Sequence, residues 1–233
     1  MRSVRALFAL LLTLALPRPA QASFEDAGFG PRDVAMGGAF CAVADDPGVL
    51  AYNPASLGQA SSLETSMAYL RQFHIPSGES DRDSTRAAVV VPLRQEILNG
   101  ALAFDVRYDR RTNVGGDRAI GIMYGTRGLK ETERGGVDFG GGLKLLTSSF
   151  DTGGKSGTKL ALDLGGLYRF SDRYAFGASL LNFGSPKFGA DRAPLVIKVG
   201  VAEQMRGVIF AVDFTKRESS MGTGGQHTMA LGF

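Results

Sequence analysis

Residues 159–170 read KLALDLGGLYRF, and this stretch carries the pattern on which the predicted fold depends. Successive side chains of a β-strand point to opposite sides of a sheet, so an extended chain here would have two unlike faces. One face is apolar and the other is polar or glycine: Leu160, Leu162, Leu164 and Tyr168 against Lys159, Asp163, Gly165 and Arg169. The stretch therefore predicts a strand with one apolar face to bury.

The same alternation recurs at 100–111, 197–202 and 208–215. From about Leu63 onward, short runs of this kind are bounded by Gly, Asp, Asn, Ser and Pro, which is typical of strands joined by hairpins. We predict an all-β, antiparallel fold. About ten strands are expected, near 62–73, 85–94, 100–111, 117–127, 135–149, 157–170, 173–183, 193–205, 206–217 and 226–233.

Two architectures bury one apolar face of each strand. In a soluble β-sandwich the apolar faces meet in a core, whereas in an outer-membrane β-barrel they contact lipid and the polar faces line the interior. Alternation alone does not choose between them. The environment of Leu102, Leu162 and Phe210 distinguishes the two, because the sandwich encloses these side chains and the barrel turns them outward.

The last predicted strand favours the barrel. Met229, Leu231 and Phe233 share one face of it, and Phe233 is the last residue. This ending resembles the recognition strand of bacterial outer-membrane barrels, which implies the barrel-assembly machinery and outer-membrane lipid as partners. Bacterial single-chain barrels have even strand counts, and ten satisfies that rule.

The other end of the sequence predicts export. Arg2 and Arg5 precede the apolar run 6–16, and the small-residue pattern at 20–22 follows, so residues 1–22 are expected to be a signal peptide cleaved after Ala22. The formal charge of +3 is small and the basic residues are scattered, so we expect no nucleic-acid partner. With 32 glycines and one cysteine, the composition suits an exported β protein with many turns.

Residues 36–57 read MGGAFCAVADDPGVLAYNPASL and predict two short helices in tandem. Asp46-Pro47 and Asn53-Pro54 each place a capping side chain before a proline at the first helical position. The first helix should end near Tyr52, and Gly58 could close the second in a left-handed conformation. An ordinary capped surface loop is the alternative to a compact plug over residues 23–60, and capping explains Asp45 and Asp46 more simply than a calcium site does.

This segment resembles the start of the PorV/PorQ family of outer-membrane proteins, relatives of the fatty-acid transporter barrels. The residues that carry the resemblance form the plug motif Gly37, Gly38, Asp45, Asp46, Pro47, Asn53, Pro54 and Ala55. The resemblance implies a barrel over 61–233 in the bacterial outer membrane, with the plug in its mouth or lumen. Family members look like barrels of roughly 14 strands. We therefore expect either a shorter barrel or a family barrel that has lost its last strands. In the second case the edge would be open, and dimerisation or a partner would be needed to cover it.

The resemblance implies one of two activities: passage of small hydrophobic molecules, or docking of secretion-system proteins at the cell surface. A soluble periplasmic β-sandwich that binds a ligand is the alternative. We expect no enzyme activity, cofactor or metal, because the only histidines, His74 and His227, have no Ser-His-Asp spacing or ligand cluster around them. A lipid-modifying hydrolase built on His227 is a third, weaker hypothesis.

Overall fold

The computed structural model describes residues 24, 28, 30–43, 46–72, 81–95, 99–128, 130–132, 135–151, 156–189, 191–218 and 225–233. The predicted signal peptide, Asp45 and His74 lie outside these residues. The first elements of the described chain are a short α-helix, α1 (Pro31–Ala35), and two 3-10 helices, Pro47–Ala51 and Pro54–Gln59. Within the described residues, no helix has the length and apolar character that crossing a membrane requires.

Ten long strands follow the helices, and they confirm the ten that the sequence predicts to within a few residues. They are β1 (Glu64–Gln72), β2 (Arg82–Arg94), β3 (Asn99–Arg111), β4 (Gly115–Thr126), β6 (Gly135–Phe150), β7 (Gly157–Arg169), β8 (Tyr174–Phe183), β11 (Val196–Met205), β12 (Val208–Glu218) and β13 (Gly225–Gly232). The described residues also contain three short strands, β5 (Lys130–Thr132), β9 (Lys187–Phe188) and β10 (Asp191–Arg192).

The long strands form one antiparallel sheet in which each strand pairs with the next one along the chain. Its order is β1-β2-β3-β4-β6-β7-β8-β11-β12-β13, with β5 added to β6, while β9 and β10 form a separate hairpin. We call the ten long strands the wall. Among the described residues no ladder joins β1 to β13, so the wall has two edges, and we call the gap between them the seam.

The outer face of the wall is apolar and exposed. Leu102, Leu162 and Phe210 keep 38%, 41% and 47% of their surface accessible. A sandwich would bury these side chains against a second sheet, yet in the described part of the chain the only other sheet is the two-stranded β9–β10 hairpin. The apolar faces therefore do not meet in a core.

The inner face curves around the plug, which we keep as the name for residues 23–60. The first 3-10 helix contacts β1 and β2, and the second contacts β3, β4, β6 and β7. Cys41 approaches β8 and β11, and Met36 approaches β13. Strands lie about 4.8 Å apart, so ten of them laid flat would span roughly 43 Å, too wide for one short segment to touch throughout. The sheet must therefore be strongly curved.

Two apolar clusters fill the space inside the curve. The larger lies between plug and wall, and its bulkiest members are Phe40, Leu50, Leu57 and Met123. The smaller lies at the opposite end of the wall, which Phe24 reaches although it belongs to the plug segment; its ring centroid is 5.2 Å from that of Phe188. We call these two ends of the wall the plug end and the loop end. At the plug end the connections between strands are short (95–98, 170–173 and 206–207), except for 127–134. At the loop end they are longer (73–81, 151–156, 184–195 and 219–224), except for 112–114.

Candidate functional site

The two 3-10 helices of the plug begin where their capping residues predict. Asp46 Oδ1 accepts a hydrogen bond from the Gly48 amide at 2.5 Å, and Asn53 Oδ1 accepts one from the Ala55 amide at 3.1 Å. Pro47 and Pro54 occupy the first helical positions. The first helix ends at Ala51, beside Tyr52, which confirms the predicted end.

The prediction for Gly58 is wrong. The second helix runs through this residue to Gln59, and Gly58 is not among the glycines with positive φ. Glycine is needed there for a different reason: a Cβ on Gly58 would lie 1.7 Å from the carbonyl oxygen of Thr126 on β4. The helix backbone thus rests directly on the wall.

Asn53 ties the plug to itself and to the wall. Its side chain is fully buried, and Nδ2 donates to the carbonyl oxygens of Cys41 at 2.9 Å and Gly166 at 3.0 Å. The side-chain amide therefore uses both of its donor hydrogens, while its oxygen accepts the bond from the Ala55 amide and caps the helix. The plug-motif asparagine is therefore the central polar contact between plug and wall.

Inward-facing glycines of the wall make room for this contact. Gly125, Gly140 and Gly165 are direct cross-strand neighbours on β4, β6 and β7, so they form one row beneath the second 3-10 helix. A Cβ on Gly140 would lie 2.3 Å from the Ala55 nitrogen, and one on Gly165 would lie 2.1 Å from Asn53 Oδ1. No side chain fits in either position. The row forms the seat of the second helix.

A second group of contacts holds the start of the plug. Asp213 on β12 is fully buried, and its Oδ2 accepts hydrogen bonds from the amides of Phe40 at 2.8 Å and Cys41 at 2.7 Å. Ser179 Oγ on β8 donates to the Tyr52 carbonyl oxygen at 2.6 Å. Sequence reasoning missed both residues, because Asp213 and Ser179 look like ordinary polar positions of alternating strands.

The start of the plug also occupies the seam. Gly37 and Gly38 have φ of 62° and 82°, which L side chains rarely adopt, and a Cβ on Gly37 would lie 3.0 Å from the Leu231 carbonyl oxygen. A Cβ on Gly232 would likewise lie 2.6 Å from the Met36 carbonyl oxygen. Met229, Leu231 and Phe233 point to the outer face beside this contact and are highly exposed.

Ion pairs cover the inner face between the plug and the loop end. Arg86 Nη2 lies 3.1 Å from Asp105 Oδ2, and Lys144 Nζ lies 2.8 Å from Asp163 Oδ2. Charged side chains on the inner face must be either hydrated or paired with opposite charges. The alignment of neighbouring strands places opposite charges close together, so they form ion pairs. The cavity that Arg86, Asp105 and Lys144 line together with Phe24 and Leu50 is about 30 Å³, which is room for about one or two water molecules. Plug and charged side chains together leave no wide opening there.

Two larger cavities flank α1 at the seam. One, of about 330 Å³, is mostly apolar and lies between Val34 of α1 and residues 67–70 of β1, with Arg86 at its inner end. The other, of about 580 Å³, lies towards the loop end and is lined by Arg82, Lys198 and Arg217. Gly28 and Val34 line both cavities, so the two cavities adjoin each other next to α1.

The remaining candidate chemistry is sparse. His227 packs against Phe214 on the outer face, with ring centroids 5.9 Å apart, which puts it on the opposite side of the wall from the buried carboxylates. Burial raises the pKa of the Cys41 thiol, a plug residue, to about 12, so the thiol stays protonated at neutral pH. Among the described residues no group of His, Cys, Asp and Glu could hold a metal ion.

Comparisons with family models, with curated proteins and with solved structures find no match to this chain.

Proposed function

We propose that this protein is an outer-membrane β-barrel protein of the PorV/PorQ type, with the wall in the hydrocarbon layer and the plug inside it. The apolar outer face carries this proposal. Its exposed side chains run across the wall from β3 to β13 and include Leu102, Phe104, Ile122, Leu143, Leu162, Phe176, Val199, Phe210, Phe214 and Leu231.

The extent of this face argues against a water-exposed surface. The largest apolar patch on a soluble monomer measures a few hundred Å², whereas here the apolar face extends over nearly the whole width of a ten-stranded sheet. In a bilayer, hydrocarbon and not water contacts this apolar face, so the unfavourable free energy of exposing it to water does not arise. The charged side chains on the inner face, paired and shielded by the plug, suit the same arrangement.

The connections between strands give independent support. Outer-membrane barrels have short turns on the periplasmic side and longer loops on the cell surface. Most connections at the plug end are short, and most at the loop end are longer. The proposal therefore places the plug end towards the periplasm.

For activity we propose the passage of small hydrophobic molecules along the seam. The ion-paired part of the interior leaves a cavity of only about 30 Å³, so we propose no wide aqueous pore. The apolar cavity of about 330 Å³ between α1 and β1, in contrast, has the size and lining of a small-ligand site. A molecule in this cavity would contact Val34, Met67 and Tyr69, whose side chains are exposed. Passage beyond it requires α1 to shift.

Docking of another envelope protein is the second candidate, and the two edges of the wall favour it. The unpaired backbone groups along an edge strand are a template for another strand. β1 and β13 present such edges over Glu64–Gln72 and Gly225–Gly232. A partner strand added at the seam would cover them.

Fractionation tests the membrane assignment. We expect the mature protein in the pelleted envelope, resistant to a carbonate wash, and running at a heat-dependent position on a gel after detergent extraction. Recovery in the supernatant after the membranes are pelleted would overturn the proposal.

Proteoliposome uptake of a fatty acid or hydrocarbon tests the activity. Ala68→Phe fills the apolar cavity from β1, so uptake should fall towards the empty-vesicle level. The matched control, Val199→Phe on the outer face of β11, should transport normally. Uptake by the wild-type protein no faster than in empty vesicles would refute passage, and a pull-down returning no envelope protein would refute docking.

A further inference from the structure

The outer face of the wall consists of rows of side chains that are aligned across neighbouring strands. On β3, β4, β6 and β7 the residues paired in register form these rows, and successive rows are two residues apart along each strand. Two rows in the middle of the face are apolar throughout: Val106, Ile120, Leu145 and Leu160 in one, and Phe104, Ile122, Leu143 and Leu162 in the other.

The next row towards the loop end is polar. Tyr108, Arg118, Thr147 and Thr158 are direct cross-strand neighbours, and we call this row the polar border. The Arg118 guanidinium lies 5.9 Å from the centre of the Tyr108 ring, and the hydroxyl oxygens of the two threonines are 2.9 Å apart. Arg110 adds a second exposed guanidinium one row nearer the loop end.

The apolar face has the height of a hydrocarbon layer. On β7, Tyr168 near the plug end follows Thr158 of the polar border by ten residues, with only leucine and glycine facing outward between them. At about 3.3 Å per residue and a strand tilt of about 40°, ten residues rise about 25 Å, which is the height of the apolar band on outer-membrane barrels. Tyr168 stacks with Phe176 at 6.4 Å between ring centroids, and such aromatic residues are enriched at membrane interfaces. The polar border therefore lies at the level of the lipid head groups on the opposite side.

Arg118 is the cation on which the anion-binding character of the border depends, because no carboxylate is among its neighbours in the sheet on this face. These described direct and diagonal neighbours are Tyr108, Thr147, Val106, Arg110, Leu145 and Ser149. Asp117, the preceding residue, belongs to the inner face, where it lies 2.9 Å from Arg111 Nη2.

The nearby carboxylates on this side of the wall lie closer to the loop end. Asp83 faces Arg110 across the ladder between β2 and β3, one row nearer the loop end than Arg118. Asp81 and Asp151 lie beyond the loop ends of β2 and β6, one row further still. An anion at the level of the polar border is therefore attracted most directly by Arg118.

We propose that the polar border binds the phosphate groups of anionic lipids in the leaflet at the loop end. A guanidinium group donates two parallel hydrogen bonds to phosphate oxygens, and the hydroxyl groups of Tyr108, Thr147 and Thr158 supply further donors. The acyl chains of the same lipid would lie along the apolar rows. This inference rests on the proposed membrane location, and with the plug end towards the periplasm the leaflet is the one at the cell surface.

Native mass spectrometry of the purified mature protein in a non-ionic detergent tests this inference. The protein is titrated with diphosphorylated lipid A and, separately, with zwitterionic phosphatidylcholine. The test variant is Arg118→Gln, and Arg118→Lys retains the charge. The control is Lys159→Gln, which removes one positive charge from an exposed inner-face residue beside Thr158. All variants are first checked for the heat-dependent gel position of the folded protein.

We expect the wild-type protein to bind lipid A more tightly than phosphatidylcholine. Arg118→Gln should weaken lipid A binding by about tenfold or more, as expected for the loss of a charged hydrogen bond. Arg118→Lys should retain most of the affinity, and Lys159→Gln should change it by less than about twofold. A wild-type protein without preference for lipid A, or equal losses in Arg118→Gln and Lys159→Gln, would overturn this inference alone, since fractionation tests the membrane location separately. Recovery of the protein in the soluble fraction would overturn both proposals.

Discussion

Adding a single methyl group to the seat, the row of wall glycines beneath the second 3-10 helix, should displace the plug from the wall. In Gly165→Ala the new Cβ would lie 2.1 Å from Asn53 Oδ1, 2.9 Å from Pro54 Cδ and 3.0 Å from the Ala55 nitrogen. Overpacking of this kind costs about 1 to 3 kcal/mol. Displacing the Asn53 amide weakens hydrogen bonds worth about 1 kcal/mol each. We therefore expect a loss of about 2 to 5 kcal/mol, or a midpoint of thermal unfolding lowered by roughly 5 to 15 °C.

The neighbouring Gly166 provides a matched control. A Cβ there would meet nothing within 4 Å, and the residue lacks the positive φ that would strain alanine. Gly166→Ala should therefore change the free energy of unfolding by no more than about 1 kcal/mol. Because alanine lowers the entropy of the unfolded chain, we expect the variant to be slightly more stable.

Cys41 reports the position of the plug directly. It is the only cysteine of the chain, and it is fully buried between plug and wall. If labelling by a maleimide requires the plug to leave its seat, a 2 kcal/mol destabilisation raises the labelling rate about 30-fold. Labelling and thermal unfolding are measured on both variants in the same detergent. Equal behaviour of Gly165→Ala and Gly166→Ala would refute the role of the seat.

Three further predictions concern Asn53, the outer face of the wall and Cys41. Asn53→Ala removes the cap and both bonds to carbonyl oxygens, so unfolding in urea should show a loss of about 2 to 4 kcal/mol. Leu162→Arg places a charge on the outer face, and in lipid this should cost about 2 to 4 kcal/mol and lower the membrane-integrated fraction after a carbonate wash; unchanged integration would contradict a lipid-facing wall. The Cys41 thiol has a pKa of about 12 in the folded chain against 9.0 ordinarily. Its contribution to stability is therefore complete below pH 9 and is lost as the pH rises towards 12, so Cys41→Ser should show a shallower loss of stability across this range.

Local chemistry explains why the strands and the helix starts could be predicted. A two-residue alternation specifies a strand wherever one face is buried or meets lipid, and the wall strands follow the predicted runs closely. Asp46-Pro47 and Asn53-Pro54 each contain their own cap, so the two 3-10 helices needed no distant contact to be anticipated. The same alternation left open whether hydrocarbon or a second sheet covers the apolar face.

The strands, their two unlike faces and the capped plug each depend on residues that are close together in the chain, so they can be predicted from local sequence. The seat and the seam arise only when distant parts of the chain meet in the folded protein. Gly165 and Asn53 are far apart in sequence, and nothing local distinguishes an inward glycine that receives the plug from its outward neighbour Gly166. Whether β1 meets β13 likewise depends on the curvature of all ten strands and on the plug segment that lies between the edges, which no single strand encodes.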